Sequence, residues 1–446
     1  MPRKTFHIVS LGCAKNTVDS DSMAQLLVRD GYRFTDHAQK ASVLIVNTCG
    51  FIGPAKEESL RVLGELSESK RDGQILIAAG CLTQRYGVDV ARKVPGLDGI
   101  LGTRRWMDIV QVVSELRKTK HPQPLYHLPD DQTIGMDEHE ALRASVAGAS
   151  AYVKIADGCR RPCAFCAIPM IKGTAVSRPM EAILNEAIKL RDAGVRELIL
   201  IAQDTTDYGH DLGIKDGLAV LLERLARAVP DMDWIRIMYV YPGYVTDRLI
   251  EIMAAHKQIL PYLDMPLQHA HPKTLYRMKR PSNMEWVRTT LGKMRAAIPN
   301  LAIRTTFIVG YPGETEAEFQ SLLDFVVETR FDRVGAFQFS FEPGTTSEPL
   351  GDPVPAEVKQ ERYARLMEMQ SSISLQVNQS YVGRTLDVLV EGFDKGLSIG
   401  RSYRDAPEID GLVFVEGRSK IGEMIPVRIT GAMTYDLTGT LVRASR

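Results

Sequence analysis

The chain has no excess of either charge: 55 Lys and Arg balance 55 Asp and Glu. That excludes a bulk polycation condensing on nucleic acid, so no strong nucleic-acid binding is expected. No stretch approaches the roughly 18 apolar residues of a membrane span, so no membrane partner is expected. The opening MPRKTFHIVSLGC has too short an apolar run for a signal peptide and reads as a strand. A cytoplasmic location is the expectation. Internal repeats and long low-complexity tracts are also lacking. Cysteine is scarce, with six residues in all. Six thiols suffice for three disulfides, but in a large chain without a signal peptide metal binding or catalysis is the expected use.

Hydrophobic residues make up 44% and charged residues 25% of the chain, the balance of a soluble protein able to bury sizeable cores. At 446 residues the length suggests about three domains. Residues 4–120 alternate strand and helix. Phe6 to Leu11 is an apolar run ending in Gly12-Cys13, and the polar turn Lys15-Asn16-Thr17 leads into a helix with Met23, Leu26 and Leu27 on one side. Val43 to Val46 is a second strand, followed by Asn47-Thr48-Cys49-Gly50 and a helix opening near Pro54. Ile75 to Ala79 is a third, ending at Gly80-Cys81. The pattern is that of a small open α/β sheet. Cys13, Cys49 and Cys81 each stand just past the carboxyl end of a predicted parallel strand, the edge where such sheets bind ligands. One cysteine there would be ordinary packing; three in equivalent positions predict a three-thiolate site.

Residues 120–145 read as an irregular bridge, with His121-Pro122-Gln123-Pro124 followed by the acidic Asp130, Asp131, Asp137, Glu138 and Glu140. Beyond it, strands are predicted at Ala151–Ile155, Glu197–Ile201, Trp234–Val240, Tyr262–Met265, Ala302–Val309 and Val334–Phe341, with helices between. Leu218, Leu221, Leu222 and Leu225 form one helical stripe, and Thr315 with Glu318 is a capping box. About six β/α units predict a partial barrel with its chemistry at the carboxyl ends of the strands. A helix over Ala356–Val377 connects to about five short strands, a small antiparallel barrel.

Three more thiols follow the first barrel strand: Cys159-Arg160-Arg161-Pro162-Cys163-Ala164-Phe165-Cys166. Offsets of four and seven also describe a buried helix face, but Pro162 and Pro169 disfavour a helix here. Thiolates select zinc, copper(I) or iron–sulfur clusters. A four-iron cube normally takes four cysteines, so three would leave one iron open to a small molecule. Phe165, between two thiols, is a candidate wall for that molecule or plain packing. Gln203, Asp204 and Thr205 end the second barrel strand and are candidate polar contacts, with helix capping as the rival for the last two. Gly310, in Gly310-Tyr311-Pro312-Gly313-Glu314, would let backbone approach a ligand, or only make a turn. Asp264, Gln268 and His269 also gather at a strand end, and His269 receives no role.

The loop C-x3-C-x-aromatic-C resembles that of the radical S-adenosylmethionine superfamily. Ser10-Leu11-Gly12-Cys13, Val46-Asn47-Thr48-Cys49-Gly50-Phe51 and Gly80-Cys81-Leu82 look like the corresponding segments of the methylthiotransferases. The terminal barrel resembles a TRAM domain, and the resemblance covers almost the whole chain. It implies an α/β protein of three parts: an N-terminal open sheet domain at 4–120 and a partial (β/α)6 radical core at 145–376. A TRAM-like substrate-binding barrel follows at 378–446. It implies two 4Fe-4S clusters, one on Cys159, Cys163 and Cys166 that cleaves S-adenosylmethionine to a 5′-deoxyadenosyl radical. The other, an auxiliary cluster on Cys13, Cys49 and Cys81, delivers sulfur. An electron donor such as flavodoxin or ferredoxin is implied as partner. The net change is C–H to C–S–CH3.

Two substrate classes are known for the family: adenosine in transfer RNA, and an aspartate of small-subunit ribosomal protein twelve. Asp405-Ala406-Pro407-Glu408-Ile409-Asp410-Gly411 resembles the ribosomal-protein (RimO-type) branch, as does Asp264-Met265-Pro266-Leu267-Gln268-His269-Ala270. From Asn378 to Arg446 nine Lys and Arg face nine Asp and Glu, without the basic excess that RNA phosphates ask for. Asp405, Glu408 and Asp410 are therefore expected to meet a basic ribosomal protein, or only to shape a turn. Aspartate β-methylthiolation is the expected reaction. A tRNA-adenosine methylthiotransferase is the alternative, and a non-enzymatic iron–sulfur or zinc protein the second.

Overall fold

A computed structural model of the chain describes residues 4–118, 122–130 and 141–442. Of the expected bridge, His121, Asp131, Asp137, Glu138 and Glu140 lie outside the described residues.

The N-terminal sheet has six parallel strands: β1 (Thr5–Ser10), β2 (Arg33–Phe34), β3 (Val43–Thr48), β4 (Ile75–Gly80), β5 (Gly99–Gly102) and β6 (Leu125–His127), in spatial order β2-β1-β3-β4-β5-β6. The sixth strand lies within the expected bridge and extends the sheet past residue 120. β3 and β4 are buried along their whole length, because helices cover both faces, and so they read as continuous apolar runs. Since β1, β3 and β4 are neighbours, the three loops carrying Cys13, Cys49 and Cys81 leave the sheet side by side at one edge.

The central sheet opens with the hairpin β7 (Ala144–Ala147) and β8 (Ser150–Lys154), its one antiparallel seam. Five more strands add in parallel: β11 (Glu197–Ile201), β12 (Trp234–Ile237), β13 (Ile259–Asp264), β14 (Ala302–Val309) and β15 (Arg333–Gln338), in order β15-β14-β13-β12-β11-β8-β7. Six parallel strands with outer helices make the expected partial barrel. A separate two-stranded ribbon, β9 (Ala156–Asp157) with β10 (Val176–Ser177), clasps both ends of the Cys159–Cys166 loop. The Thr315 capping box forms: its Oγ1 accepts from the Glu318 N–H at 3.2 Å and the Glu318 carboxylate accepts from the Thr315 N–H at 3.0 Å.

The connector helix, Ala356–Gln379, leads to a closed barrel of β16 (Thr385–Asp394), β17 (Leu397–Ser402), β18 (Val413–Glu416), β19 (Met424–Ala432) and β20 (Leu437–Leu441). Four of its seams are antiparallel, but β18 and β20 pair in parallel, so closure departs from the purely antiparallel expectation. Ala406 and Leu389 pack with Tyr152, Ile199, Ile201, Met238 and Tyr262 of the central strands in one buried cluster. The terminal barrel thus plugs the concave side of the partial barrel.

That docking overturns one expectation. Asp405 is buried, and its carboxylate accepts from Arg333 at 2.6 Å and from the Ser402 hydroxyl at 2.7 Å. Asp410 accepts from the Tyr262 hydroxyl at 2.7 Å and lies 3.3 Å from Arg304. Neither is free to meet a basic substrate; both pin the barrel to the core. Of the three acids only Glu408 is exposed.

Candidate active site

All six cysteines are free thiols, and all six line one cavity of about 330 Å³. Its size is that of a small-ligand site. The strand-end set comes from the N-terminal sheet and the loop set from the central barrel, so the cavity is built between two regions. Cys81 packs against Ala167 and Ile171, just past the loop. Glu342 joins the regions by accepting from Lys56 and Arg85, each at 2.7 Å.

Close backbone approach sets the strand-end thiols together. A Cβ at Gly12, where φ is +95°, would stand 3.0 Å from Cys49 Sγ, so only glycine fits. Asn16 then ties the three loops. Its Nδ2 donates to the carbonyls of Leu11 (2.9 Å) and Thr48 (3.1 Å), and its Oδ1 lies 3.6 Å from Cys81 Sγ. Asn47 Nδ2 donates back to the Asn16 carbonyl at 2.8 Å.

The loop set is fixed from several sides. The Cys159 N–H donates to the Gly173 carbonyl at 3.0 Å and the Ala164 N–H to the Met278 carbonyl at 2.9 Å. Cys163 Sγ lies 3.6 Å from Arg280 Nη1 and 4.0 Å from the Tyr241 hydroxyl. Arg280 also donates to the Pro266 carbonyl and stacks on Tyr241 at 4.1 Å.

Burial pushes the Cys166 and Cys81 thiols up to about 12 and Cys159 up to about 11. Cys49 is also raised by burial. Cys13 goes the other way: burial raises it, but the Lys15 ammonium and the Asn16 and Lys15 N–H groups outweigh that and lower it. Thiols raised this far stay protonated at neutral pH and suit metal, which displaces their protons.

The other expected contacts divide. Phe165 and Gln203 line the cavity. Gln203 Oε1 is buried without a hydrogen-bond partner, so the wall there lacks a donor that a bound ligand would bring. Asp204, Thr205 and Gly310 do not line it. Asp204 accepts from Arg161 Nε at 2.6 Å and caps the Thr206 N–H at 2.9 Å, which is the capping rival. The Thr205 hydroxyl donates to the Met238 carbonyl at 2.9 Å. Gly310 faces the connector helix, where a Cβ would strike the Lys359 side chain. His269 is buried and accepts from the His271 N–H at 2.9 Å, a structural place. The sequence reading missed Lys15, Asn16, Lys172, Tyr239, Tyr241 and Arg280, all on the cavity wall. Only Lys15 and Asn16 carried a signal, their closeness to Cys13.

Among the described residues no three His, Cys, Asp or Glu side chains converge on a point suited to one metal ion. A cube asks for a different arrangement, with each thiolate on its own iron.

Three stretches of the chain match known families. Residues 5–102 match Uncharacterized protein family UPF0004, residues 153–326 the Radical SAM superfamily and residues 382–442 the TRAM domain. The chain is 50% identical over 450 residues to the ribosomal protein uS12 methylthiotransferase RimO of Chloroflexus aurantiacus, covering 97% of this chain and 99% of that one. The chain belongs to the RimO family. Another RimO, from Roseiflexus sp. (strain RS-1), is 47% identical over 98% of this chain and 97% of its own length. Among solved structures, the radical S-adenosylmethionine methyltransferase TsrM from Kitasatospora setae superposes with a TM-score of 0.56 at 12% identity, covering 88% of this chain and 82% of that one. At that identity the likeness shows the fold alone. RimO membership and the Radical SAM match over residues 153–326 imply iron–sulfur and S-adenosylmethionine use.

Proposed function

We propose that the chain is a methylthiotransferase acting on an aspartate of small-subunit ribosomal protein uS12, converting its β-carbon C–H to C–S–CH3. The observation that carries this reading is the shared cavity: cysteine sets from two regions of the fold face one space. Cys159, Cys163 and Cys166 would hold one 4Fe-4S cluster, and Cys13, Cys49 and Cys81 a second. When bound, the clusters and S-adenosylmethionine supply a carbon-centred radical, a sulfur atom and a methyl group.

The chain's own residues do the rest. Phe165 supplies apolar wall and Gln203 an unfilled acceptor for an amine or hydroxyl of the ligand. Arg161, held by Asp204 at 2.6 Å and Asp207 at 3.3 Å, keeps the cysteine loop against the strand ends. Tyr241 and Arg280 stand against Cys163 Sγ at 4.0 and 3.6 Å and help orient it. An electron donor such as flavodoxin or ferredoxin completes the system. Among the described residues no helix is long and apolar enough to cross a membrane.

Mass spectrometry of uS12 and of digested tRNA from a deletion strain tests the reading. Loss of the methylthio group from uS12 with unchanged tRNA is expected. Loss from tRNA adenosine with intact uS12 would overturn it in favour of the tRNA branch. A protein that holds only zinc after anaerobic purification and does not cleave S-adenosylmethionine would sink both.

A further inference from the structure

We propose that the Lys15 ammonium receives the carboxylate of the substrate aspartate inside the cavity; this rests on the methylthiotransferase reading above. Four cationic side chains line the cavity: Lys15, Arg161, Lys172 and Arg280. Three are already engaged. Arg161 is held by Asp204 and Asp207. Lys172 meets Asp157 at 2.9 Å and Asp19 at 3.2 Å. Arg280 donates to the Pro266 carbonyl. Lys15 is only 8% exposed, yet among the described residues no carboxylate or carbonyl lies within hydrogen-bond reach of it. Its strongest electrostatic neighbour is the Cys13 thiol, which a cluster would take as a ligand; Asp264 and Asp157 attract it less.

Folding gives no reason for a cation there. A buried charge without a partner is costly. Lys15 also sits in the first turn of the helix Ala14–Arg29, the positive end of the helix dipole, where a cation is disfavoured. What holds it is the Tyr239 ring, whose centroid is 3.2 Å from the ammonium nitrogen. Tyr239 is itself in the left-handed region at φ +61°, unusual for a bulky residue. It is kept there by its N–H donating to Asp264 at 3.2 Å and its carbonyl accepting from the Thr205 N–H at 3.1 Å. Two residues that break local rules thus meet on the cavity wall, as functional sites often do.

An aspartate carboxylate supplies the missing partner. Its carboxyl carbon is bonded directly to the β-carbon, so anchoring the carboxylate fixes the reacting carbon one bond away. Lys15 lies two residues past Cys13, so that carbon is held beside the strand-end set and within the space the loop set faces. An adenine base offers no anion for this cation, so Lys15 also selects substrate class.

The test uses iron-loaded enzyme with purified uS12, free and within small subunits, carrying either the target Asp or Asn in its place. Wild type is expected to bind the Asp form at least tenfold tighter. In Lys15→Met the two forms should bind within twofold of each other, with iron content unchanged, and Lys15→Arg should restore a preference for Asp. Equal weakening of both forms by Lys15→Met would overturn the proposal, as would a wild type indifferent to the change. Loss of iron from Lys15→Met would also overturn it, in favour of a role on the cysteine set alone. A wild type that methylthiolates neither preparation of uS12 would instead overturn the functional reading itself.

Discussion

Asn16 Oδ1 stands 3.6 Å from Cys81 Sγ while the same side chain donates to the carbonyls of Leu11 and Thr48. One amide therefore fastens the loops of all three strand-end cysteines, although Cys13 and Cys81 lie 68 positions apart. Asn16→Ala takes the donor from the buried Thr48 carbonyl and the part-buried Leu11 carbonyl and should cost about 1–3 kcal/mol of stability. Because the loops lose their common tie, iron retained after anaerobic purification should fall, with the loop set still loaded. Denaturant unfolding and iron analysis read both effects. Full iron content in a stable Asn16→Ala protein would show that the loops hold themselves.

Glu197 makes the junction of the core with the terminal barrel sensitive to acid. Its carboxylate accepts from Arg236 at 2.7 Å and from Arg401, across the junction, at 2.6 Å. Burial alone would push the carboxyl up; the two guanidiniums outweigh it and hold it at about 2, below the ordinary 4.5. The folded carboxyl binds its proton less tightly than the unfolded one. Its contribution, on the order of 3 kcal/mol, is full above pH 4.5 and is lost as the pH falls towards about 2. Glu197→Gln should lower stability at neutral pH and flatten the acid dependence in that window, measured by denaturant unfolding across pH.

Strand ends were legible because an apolar run closed by glycine and cysteine is a local pattern, and it occurs at Leu11-Gly12-Cys13 and Gly80-Cys81. The same logic named the right edge for Gln203, Asp204, Thr205 and Gly310 but not the direction each faces. Asp204 turns to Arg161, which is 43 positions away, and Gly310 turns to Lys359 on the connector helix. Such pairings exist only once distant elements meet. Lys15 and Tyr239 are a further case, since neither carries a periodic signal.

The two cysteine sets should separate by function. Cys163→Ala removes a thiol from the loop set and should abolish S-adenosylmethionine cleavage. Cys49→Ala leaves that set whole and should spare some cleavage while abolishing sulfur insertion. Product analysis for 5′-deoxyadenosine and for methylthiolated uS12, on the same preparations, reads both. Methylthiolation by Cys49→Ala would remove the strand-end set from sulfur delivery.

Asp405 separates docking from substrate recognition. The neutral charge balance of the terminal barrel suggested acids facing a basic protein, but a charge count does not tell a paired carboxylate from a free one. Burial pushes the Asp405 carboxyl up, yet the Arg333 and Arg404 guanidiniums hold it below its usual value. Asp405→Ala strands Arg333, which is buried and among the described residues keeps only the Tyr435 carbonyl at 2.8 Å. Removing one partner of a buried pair costs about 3–5 kcal/mol. Asp405→Ala should therefore lower the unfolding midpoint and open the junction between the connector helix and β16 to protease. Glu408→Gln, exposed and among the described residues without such a pair, should leave stability within about 0.5 kcal/mol. If Asp405→Ala instead kept its stability and only weakened uS12 binding, the carboxylate would face substrate rather than the core.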